Sequence, residues 1–516
     1  MSDRTTPSFP LTRELWALAW PAILRNMLNC ACDRLTLALV GHYDSSTAHY
    51  DGAGLGKMYS NITGLSVGYG ICLGLATLCS QAYGAGRAAE ENALHLRRCC
   101  VWLAAALVYS SVAVLFAEPI LRLASQPADV AAASAAYARV QLAGVPMFWV
   151  ANALQTVCDG LQNTRPGLWS NLISAVAQVA LSVILVHPRC ANLGYLGMAA
   201  ARSIGGAVCL LLMVLLVQRA KLQHLVWRLP PAPTSADAAV ATKARVLSGV
   251  ELRRFMVVAL PSACVMWIEW WSFEGFSLIT GTLPNAKVLL AAHGTLFNVL
   301  VVFYMFFTGL STALCATTGK YIGRGAPHVA PTLILIALLL AVALAAATAA
   351  MLYLARWGLA RMFESDATVQ RAIADNMVGA CLSVPGYAVL MTLYGACRGA
   401  NRQNSVFAGT ALGYATGIPL AWLLGKRLAW PSGQPLLGVW LGNVWALSFA
   451  ALWALVVVAR LPWRTLRPVR PLGGGAAGSG DAQHSRTEAL LGAEGGGDEP
   501  ASEALRWSAS VRPVNE

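Results

Sequence analysis

Long stretches of this chain run without a charge, at 101–115, 204–217, 329–354 and 439–458. The last two reach or exceed the roughly 20 residues a helix needs to cross hydrocarbon, and the first two lie inside longer, mostly apolar segments. Lipid offers backbone groups no partner, so such runs predict helices rather than open sheet. The polar breaks between them divide the chain into spans at 15–41, 53–80, 99–121, 137–160, 167–187, 195–218, 255–283, 287–317, 329–353, 375–397, 407–425 and 437–460. The expected fold is an all-α polytopic membrane protein of about twelve transmembrane helices. Composition agrees: 57% of residues are apolar and 12% charged, against roughly a quarter charged in a soluble domain. That leaves too little polar surface to cover a soluble globule.

Basic residues gather in alternate short connections. Arg87, Arg97 and Arg98 follow span two, Arg165 follows span four, Lys320 and Arg324 follow span eight, and Arg398 and Arg402 follow span ten. The connection 219–254 adds Arg219, Lys221, Arg228, Lys243, Arg245, Arg253 and Arg254 against Asp237 and Glu251. By the positive-inside rule these loops and both termini are cytoplasmic. Arg356, Arg361, Lys426 and Arg427 run against the pattern. The formal charge of +13 is then mostly topology and needs no nucleic-acid partner. No short basic leader with a small-residue cleavage site precedes span one, which reads as its own insertion signal. Glycine, alanine and acidic residues dominate the end of the chain, read as a disordered cytoplasmic tail over 464–516. The thirteen cysteines behave as small hydrophobes, and neither they nor the scattered histidines have metal-site spacing.

The chain also repeats itself. Gly84 and Gly86 in Gln81-Ala82-Tyr83-Gly84-Ala85-Gly86 lie 239 positions before Gly323 and Gly325 in Lys320-Tyr321-Ile322-Gly323-Arg324-Gly325, and Gly160 lies as far before Gly399. Both matches fall at inner helix ends. They imply two pseudo-symmetric six-helix bundles, 15–218 and 255–463, between a cytoplasmic N-terminus (1–14), the basic linker (219–254) and the tail. An even number of spans per half makes the repeats parallel, and a cleft between them suits alternating access.

A polar side chain within a span is costly and usually faces a cavity or a partner. Span seven places Glu269 and Glu274 among Trp267, Trp270 and Trp271. Five residues separate the acids, about 7.5 Å along the axis and near 140° around it, so only one can point fully into a central cleft. Glu269 is the first choice as proton and cation switch, because a carboxyl group desolvated among tryptophans takes up a proton more readily. Glu274 is a second acid or a structural partner. The tryptophan face would favour organic cations, helped by Asn61, Thr63 and Asn298. Asp33, beside Arg34 and two turns from Arg25, is a third proton candidate or one half of an ion pair. The glycines at inner helix ends are expected to form tight turns at an inner gate.

These residues carry a resemblance. The chain resembles the multidrug and toxin extrusion (MATE) transporters, eukaryotic branch, over about 15–460. It matches at Asn61-Ile62-Thr63-Gly64-Leu65-Ser66-Val67-Gly68, at Thr77-Leu78-Cys79-Ser80-Gln81-Ala82-Tyr83-Gly84-Ala85-Gly86, at Gln162 with Pro166, at Glu269-Trp270-Trp271 with Glu274, and at Arg398-Gly399. The resemblance implies a non-enzymatic antiporter of organic cations or other amphiphiles, with H⁺ or in some members Na⁺ as coupling ion and no other cofactor. Glu269 would be essential and Glu274 important. It also marks departures. The span-eight string keeps its glycines and little else, Asn298 and Tyr387 stand at or near positions where animal members carry acids, and Ala76 stands where an acid is common. Fewer cavity acids weaken the case for a broad organic-cation profile, and the runner-up is an exporter of anionic or zwitterionic metabolites such as citrate or flavonoids. A transport-inactive relative ranks third. The expected partners are small-molecule substrates and the lipid of a plasma or vacuolar membrane, and the expected state is a monomer.

Overall fold

A computed structural model describes residues 8–43, 46–124, 126–228, 248–429 and 433–469. The first half holds α1 (Ser8–Tyr43), α2 (Thr47–Ser60), α3 (Ser66–Gly84), α4 (Ala88–Leu115), α5 (Ala117–Leu123), α6 (Ala128–Leu142), α7 (Val145–Gly160), α8 (Arg165–Val186) and α9 (Gly194–Arg219). A single turn, α10 (Gln223–Val226), follows. The second half holds α11 (Gly249–Thr280), α12 (Ala286–Gly323), α13 (Ala330–Phe363), α14 (Ala367–Gly399), α15 (Gln403–Trp422) and α16 (Pro435–Arg460).

Among the described residues, 10 helices are long and apolar enough to cross a membrane, counting α2 and α3 as one rod through the π-helical turn Asn61–Leu65. Polar residues keep α1 off that list and a break at Gly144 keeps the α6–α7 pair off it. Adding both gives twelve. Span boundaries shift where sequence polarity hid a helix: span four begins with α6 at Ala128 rather than at 137, and α11 begins at Gly249 within the presumed linker. Likewise α1 already runs from Ser8. The middle of that linker (229–247) and the segments 1–7 and 470–516 lie outside the described residues.

Backbone geometry repeats with the same offset as the sequence. Positive φ occurs at Gly86 and Gly325 (both 73°), at Gln162 and Asn401 (63° and 55°), and at Gly194 and Gly433 (51° and 77°). Each pair is 239 residues apart. After α3 the Gly86 and Arg87 N–H groups donate to the Tyr83 and Ala82 carbonyls, and after α12 those of Gly325 and Ala326 donate to Ile322 and Tyr321. This is the left-handed cap that glycine permits at a helix C-terminus. The two halves therefore form two pseudo-symmetric bundles.

The bundles meet where α1 lies on α12 and α3 lies on α11 and α12. Small residues let backbone approach backbone, as helix packing in membranes favours. A Cβ on Gly70 of α3 would fall 2.7 Å from the Ala263 Cβ of α11, and one on Gly309 of α12 would fall 2.6 Å from the Ile23 Cα of α1. Gly70 and Gly309 are again 239 apart. Among the described residues, hydrogen bonds across this seam run from Glu14 at one end to Asn26 and Trp267 near mid-depth.

Each bundle is braced internally. Arg25 of α1 donates to both carboxylate oxygens of Asp159 of α7, at 3.2 and 3.1 Å, with both side chains buried. Removing one member of a buried pair leaves the other charge uncompensated, a loss of about 3–5 kcal/mol. Asp159→Asn should therefore lower the thermal midpoint in detergent sharply. Adding Arg25→Gln should recover part of that loss; a double variant less stable than either single one would contradict the bracing role.

Candidate functional site

The pitch of α11 separates its two acids. Glu269 is 6% exposed and points into the C-terminal bundle, where the Tyr387 hydroxyl lies beside its carboxylate. Tyr387 stacks on Tyr304 with centroids 3.7 Å apart and planes 7° from parallel, and the Tyr304 hydroxyl lies 2.7 Å from the Ser383 Oγ. Tyr394, whose hydroxyl donates to the Ser262 carbonyl at 2.9 Å, and Tyr414 lie within reach of the acid's field. No ion pair to Glu269 is found among the described residues. Glu274 is half-exposed and turns toward the N-terminal bundle, where Arg34 is the cation whose field reaches it.

This corrects two expectations. The acids do diverge, but it is Glu274 that faces the opposite bundle and Glu269 that is enclosed. The aromatic surroundings of Glu269 are tyrosine from α12, α14 and α15, not tryptophan. Trp267 instead donates its Nε1–H across the seam to the Ser66 carbonyl at 2.9 Å, Trp271 is 50% exposed, and Trp270 is half-buried.

In the N-terminal bundle a second polar centre lies beyond the level of Trp267. The Asp33 carboxylate of α1 sits 3.6 Å from the Lys57 Nζ of α2 and 3.3 Å from the Arg202 Nη2 of α9. Lys57 also donates to the Asp33 carbonyl at 3.0 Å, and Arg202 donates to the Asn61 Oδ1 at 3.4 Å. Asn61 opens the π-helical turn, where an added residue per turn swings it out of the α-helical ladder. Asp33 is thus paired from two neighbouring helices and not with adjacent Arg34, and Arg25 belongs to Asp159. Thr63 lies elsewhere. Its hydroxyl donates to the Tyr59 carbonyl at 2.8 Å, and its side chain lines an apolar groove with Tyr109, Val112 and Phe116 of α4 and the following residue, on the bundle flank. Asn298 is half-buried on α12, next to Phe297, which packs on Phe273.

Sequence reading passed over Lys57 and Arg202. Both stand in apolar, glycine-rich helix, and intramembrane charge was the signal that could have found them.

At the opposite end the glycine-bearing motifs interlock. The Gln81 Nε2 donates to the Gly399 carbonyl at 2.8 Å, Thr77 to the Arg398 carbonyl at 2.9 Å, and Gln162 to the Ala316 carbonyl at 2.9 Å. Gly84 abuts the Lys320 carbonyl, Gly323 the Gln81 carbonyl and Gly399 the Cys315 carbonyl, all too closely for a side chain. Arg398 lies over the Tyr394 ring and donates to the Ser311 Oγ at 3.2 Å. The Val469 N–H, beyond α16, donates to the Gln81 Oε1 at 2.8 Å. Pro166 is buried in the first turn of α8, and Tyr83 is half-buried at the end of α3. The altered span-eight string still serves: Lys320 and the Tyr321 hydroxyl both engage the Glu14 carboxylate.

Comparison with known proteins settles the family. The MatE family model matches twice, over residues 21–184 and 261–423, once in each bundle. The chain belongs to the MatE family. It is 25% identical to Protein DETOXIFICATION 32 of Arabidopsis thaliana over 464 residues, covering 88% of this chain and 84% of that one. It is also 25% identical to Multidrug and toxin extrusion protein 1 of Rattus norvegicus over 463 residues, covering 88% and 76%. The crystal structure of the eukaryotic MATE transporter AtDTX14 superposes with a TM-score of 0.78 at 22% identity, over 89% of this chain and 97% of that one. As a MatE protein the chain is a secondary-active, ion-coupled antiporter of small organic substrates that works by alternating access, not an enzyme.

The gate geometry separates two glycines that sequence treats alike. Gly84→Val should push apart the α3 and α12 ends and raise maleimide labelling of a cysteine placed at Arg324, with transport lost. Gly86 faces open space, so Gly86→Val strains only its left-handed turn, a penalty of about 1–2 kcal/mol, and should retain partial transport. Equal behaviour of the two would refute the interlocked seam.

Proposed function

We propose that this MatE protein exports small amphiphilic organic molecules in exchange for protons, with its gate end toward the cytoplasm and Glu269 as the coupling carboxylate. The orientation rests on Arg87, Arg97, Arg165, Lys320, Arg324 and Arg402, all at or near the gate end of their helices and favouring that side. With that end zipped, the conformation is the one closed toward the cytoplasm. Plasma and vacuolar membranes both suit such an exporter.

The single observation that carries the coupling role is the enclosure of Glu269. It lies near mid-depth on α11 among four phenols, with no ion-pair partner among the described residues. A carboxylate in such a place holds a proton or a ligand rather than a permanent counter-charge. A proton needs one carboxyl group and no further ligand. Proton coupling is the better fit. In the proposed cycle, outside protons load Glu269 as substrate leaves, the seam opens at the gate end, and substrate arriving from the cytoplasm accompanies release of the proton inward.

Glu269→Gln preserves shape and removes the titratable group. In proteoliposomes offered tetraethylammonium, a zwitterionic quinolone and 1-naphthoate, the variant should lose gradient-driven accumulation of whichever probes the wild type carries. Exchange without a gradient should persist. Undiminished gradient-driven accumulation would remove Glu269 from the coupling role. Glu274→Gln should alter substrate affinity more than coupling, because its carboxylate faces the cleft.

A further inference from the structure

The N-terminal half of the cleft carries the wrong sign for a pure cation exporter. Arg34, Lys57 and Arg202 converge there on the single carboxylate of Asp33. Lys57 and Arg202 are 7% and 8% exposed, so most of this charge is removed from water. Asp33 is already ion-paired with two of the three cations, and Arg34 has no ion pair among the described residues. The Arg202 Nη1 is buried without a hydrogen-bond partner, beside the Tyr137 hydroxyl. At a depth where charges interact strongly, a cluster with surplus positive charge and unused donors is incomplete on its own.

The cluster lies toward the outer end of its bundle. Asp33 and Arg34 lie ten and nine residues from the outer end of α1, and Glu274 lies six residues from the end of α11. At about 1.5 Å per residue these groups share the outer half of the molecule, away from the interlocked gate. Glu274 is an opposing acid that the field of Arg34 reaches. That carboxylate belongs to the other bundle and does not form an ion pair with Arg34, so it moves with respect to the cluster whenever the bundles rock. Organic cations would be repelled from this wall. An anionic headgroup would find three positive groups on one side, while its apolar body could lie against exposed Trp271.

We propose that Arg34, Lys57 and Arg202 bind an anionic group of the transported molecule, so that the substrate carries a carboxylate or a comparable monoanion on an aromatic or apolar body. The proposal rests on reading the cleft as the substrate pathway of an exporter, but not on which ion drives it. Asp33 tempers the cluster, keeping the bound anion releasable.

Equilibrium binding to purified full-length protein in nanodiscs, free of any gradient, tests this separately from coupling. The probes are 1-naphthoate, its uncharged isostere 1-naphthamide and 1-naphthylmethylammonium, in gluconate buffer. Naphthoate should bind about tenfold or more tighter than naphthamide, and the ammonium weakest. Arg34→Gln and Arg202→Gln should each bring naphthoate toward the amide, by about tenfold, while amide affinity stays put and so certifies the fold. Arg202→Lys should retain most of the preference. Asp33→Asn should tighten naphthoate, a gain that a merely structural role for the cluster cannot produce. Tighter binding of the ammonium, a preference untouched by Arg34→Gln, or no saturable naphthoate binding would each overturn the proposal. So would displacement of naphthoate by chloride at physiological concentration, which would assign the cluster to a small inorganic anion. If Glu269→Gln lost coupling while the naphthoate preference survived in that variant, the two readings would stand independently.

Discussion

Everything this molecule does depends on how weakly its two bundles are held together at one end. At the gate end the seam is closed by single hydrogen bonds onto backbone carbonyls, from Thr77 to Arg398, Gln81 to Gly399 and Gln162 to Ala316, where glycines let backbones approach, and by Lys320 and Tyr321 on the Glu14 carboxylate. Two of those acceptors lie in the last turn of α14, where a helix has carbonyls to spare. Each such bond contributes about 0.5–1.5 kcal/mol. Three together are comparable to the roughly 2.3 kcal/mol that one charge gains per 100 mV across a membrane. Polar ties of this strength can be overcome by the entry of one or two protons.

The bundles themselves are built to the opposite rule. Within the N-terminal bundle, Arg25 and Asp159 tie α1 to α7 through two charge-assisted bonds, and Asp33 ties α1 to α2 and α9. Within the C-terminal bundle, Tyr304, Tyr387, Tyr394 and Tyr414 join α12, α14 and α15 into the wall that encloses Glu269. Rigid bodies with strong internal ties and a weak mutual interface rock rather than deform. The pseudo-symmetry sharpens this. Gly70 on Ala263 and Gly309 on Ile23 are equivalent contacts, so the two bundles pivot on matching points.

The fold was legible because its determinants are local and repeated. Uncharged runs marked most of the spans, and the glycine offset of 239 reappeared as matched left-handed residues. What sequence could not place was the azimuth of side chains. The separation of Glu269 from Glu274 was readable from helical pitch, but which of them faced the cleft depended on how α11 is rotated against α3, and that is fixed by Ala263 meeting Gly70. Thr63 looked like a cavity residue because the π-helical turn that holds it is invisible to a count of 3.6 residues per turn. Arg202 and Lys57 were passed over because single charges in apolar helix look like span-end residues until three helices bring them to one carboxylate. The gate, by contrast, was readable as a motif, since its glycines serve both the turn and the contact.

The two halves thus have different tasks: an enclosed carboxyl group in one bundle and a largely buried, predominantly basic cluster in the other, joined by a seam that opens at one end. Rocking of rigid bundles about that seam is the central claim. Double electron–electron resonance measures it directly, with spin labels at positions 165 and 324 at the gate end and at 191 and 282 at the other, in a variant with accessible thiols such as Cys190 replaced. Shifting from alkaline to acidic pH without substrate should lengthen the gate-end distance and shorten the opposite one together, with within-bundle distances unchanged. A gate-end change without a reciprocal change at the other end, or changes confined within one bundle, would contradict the account.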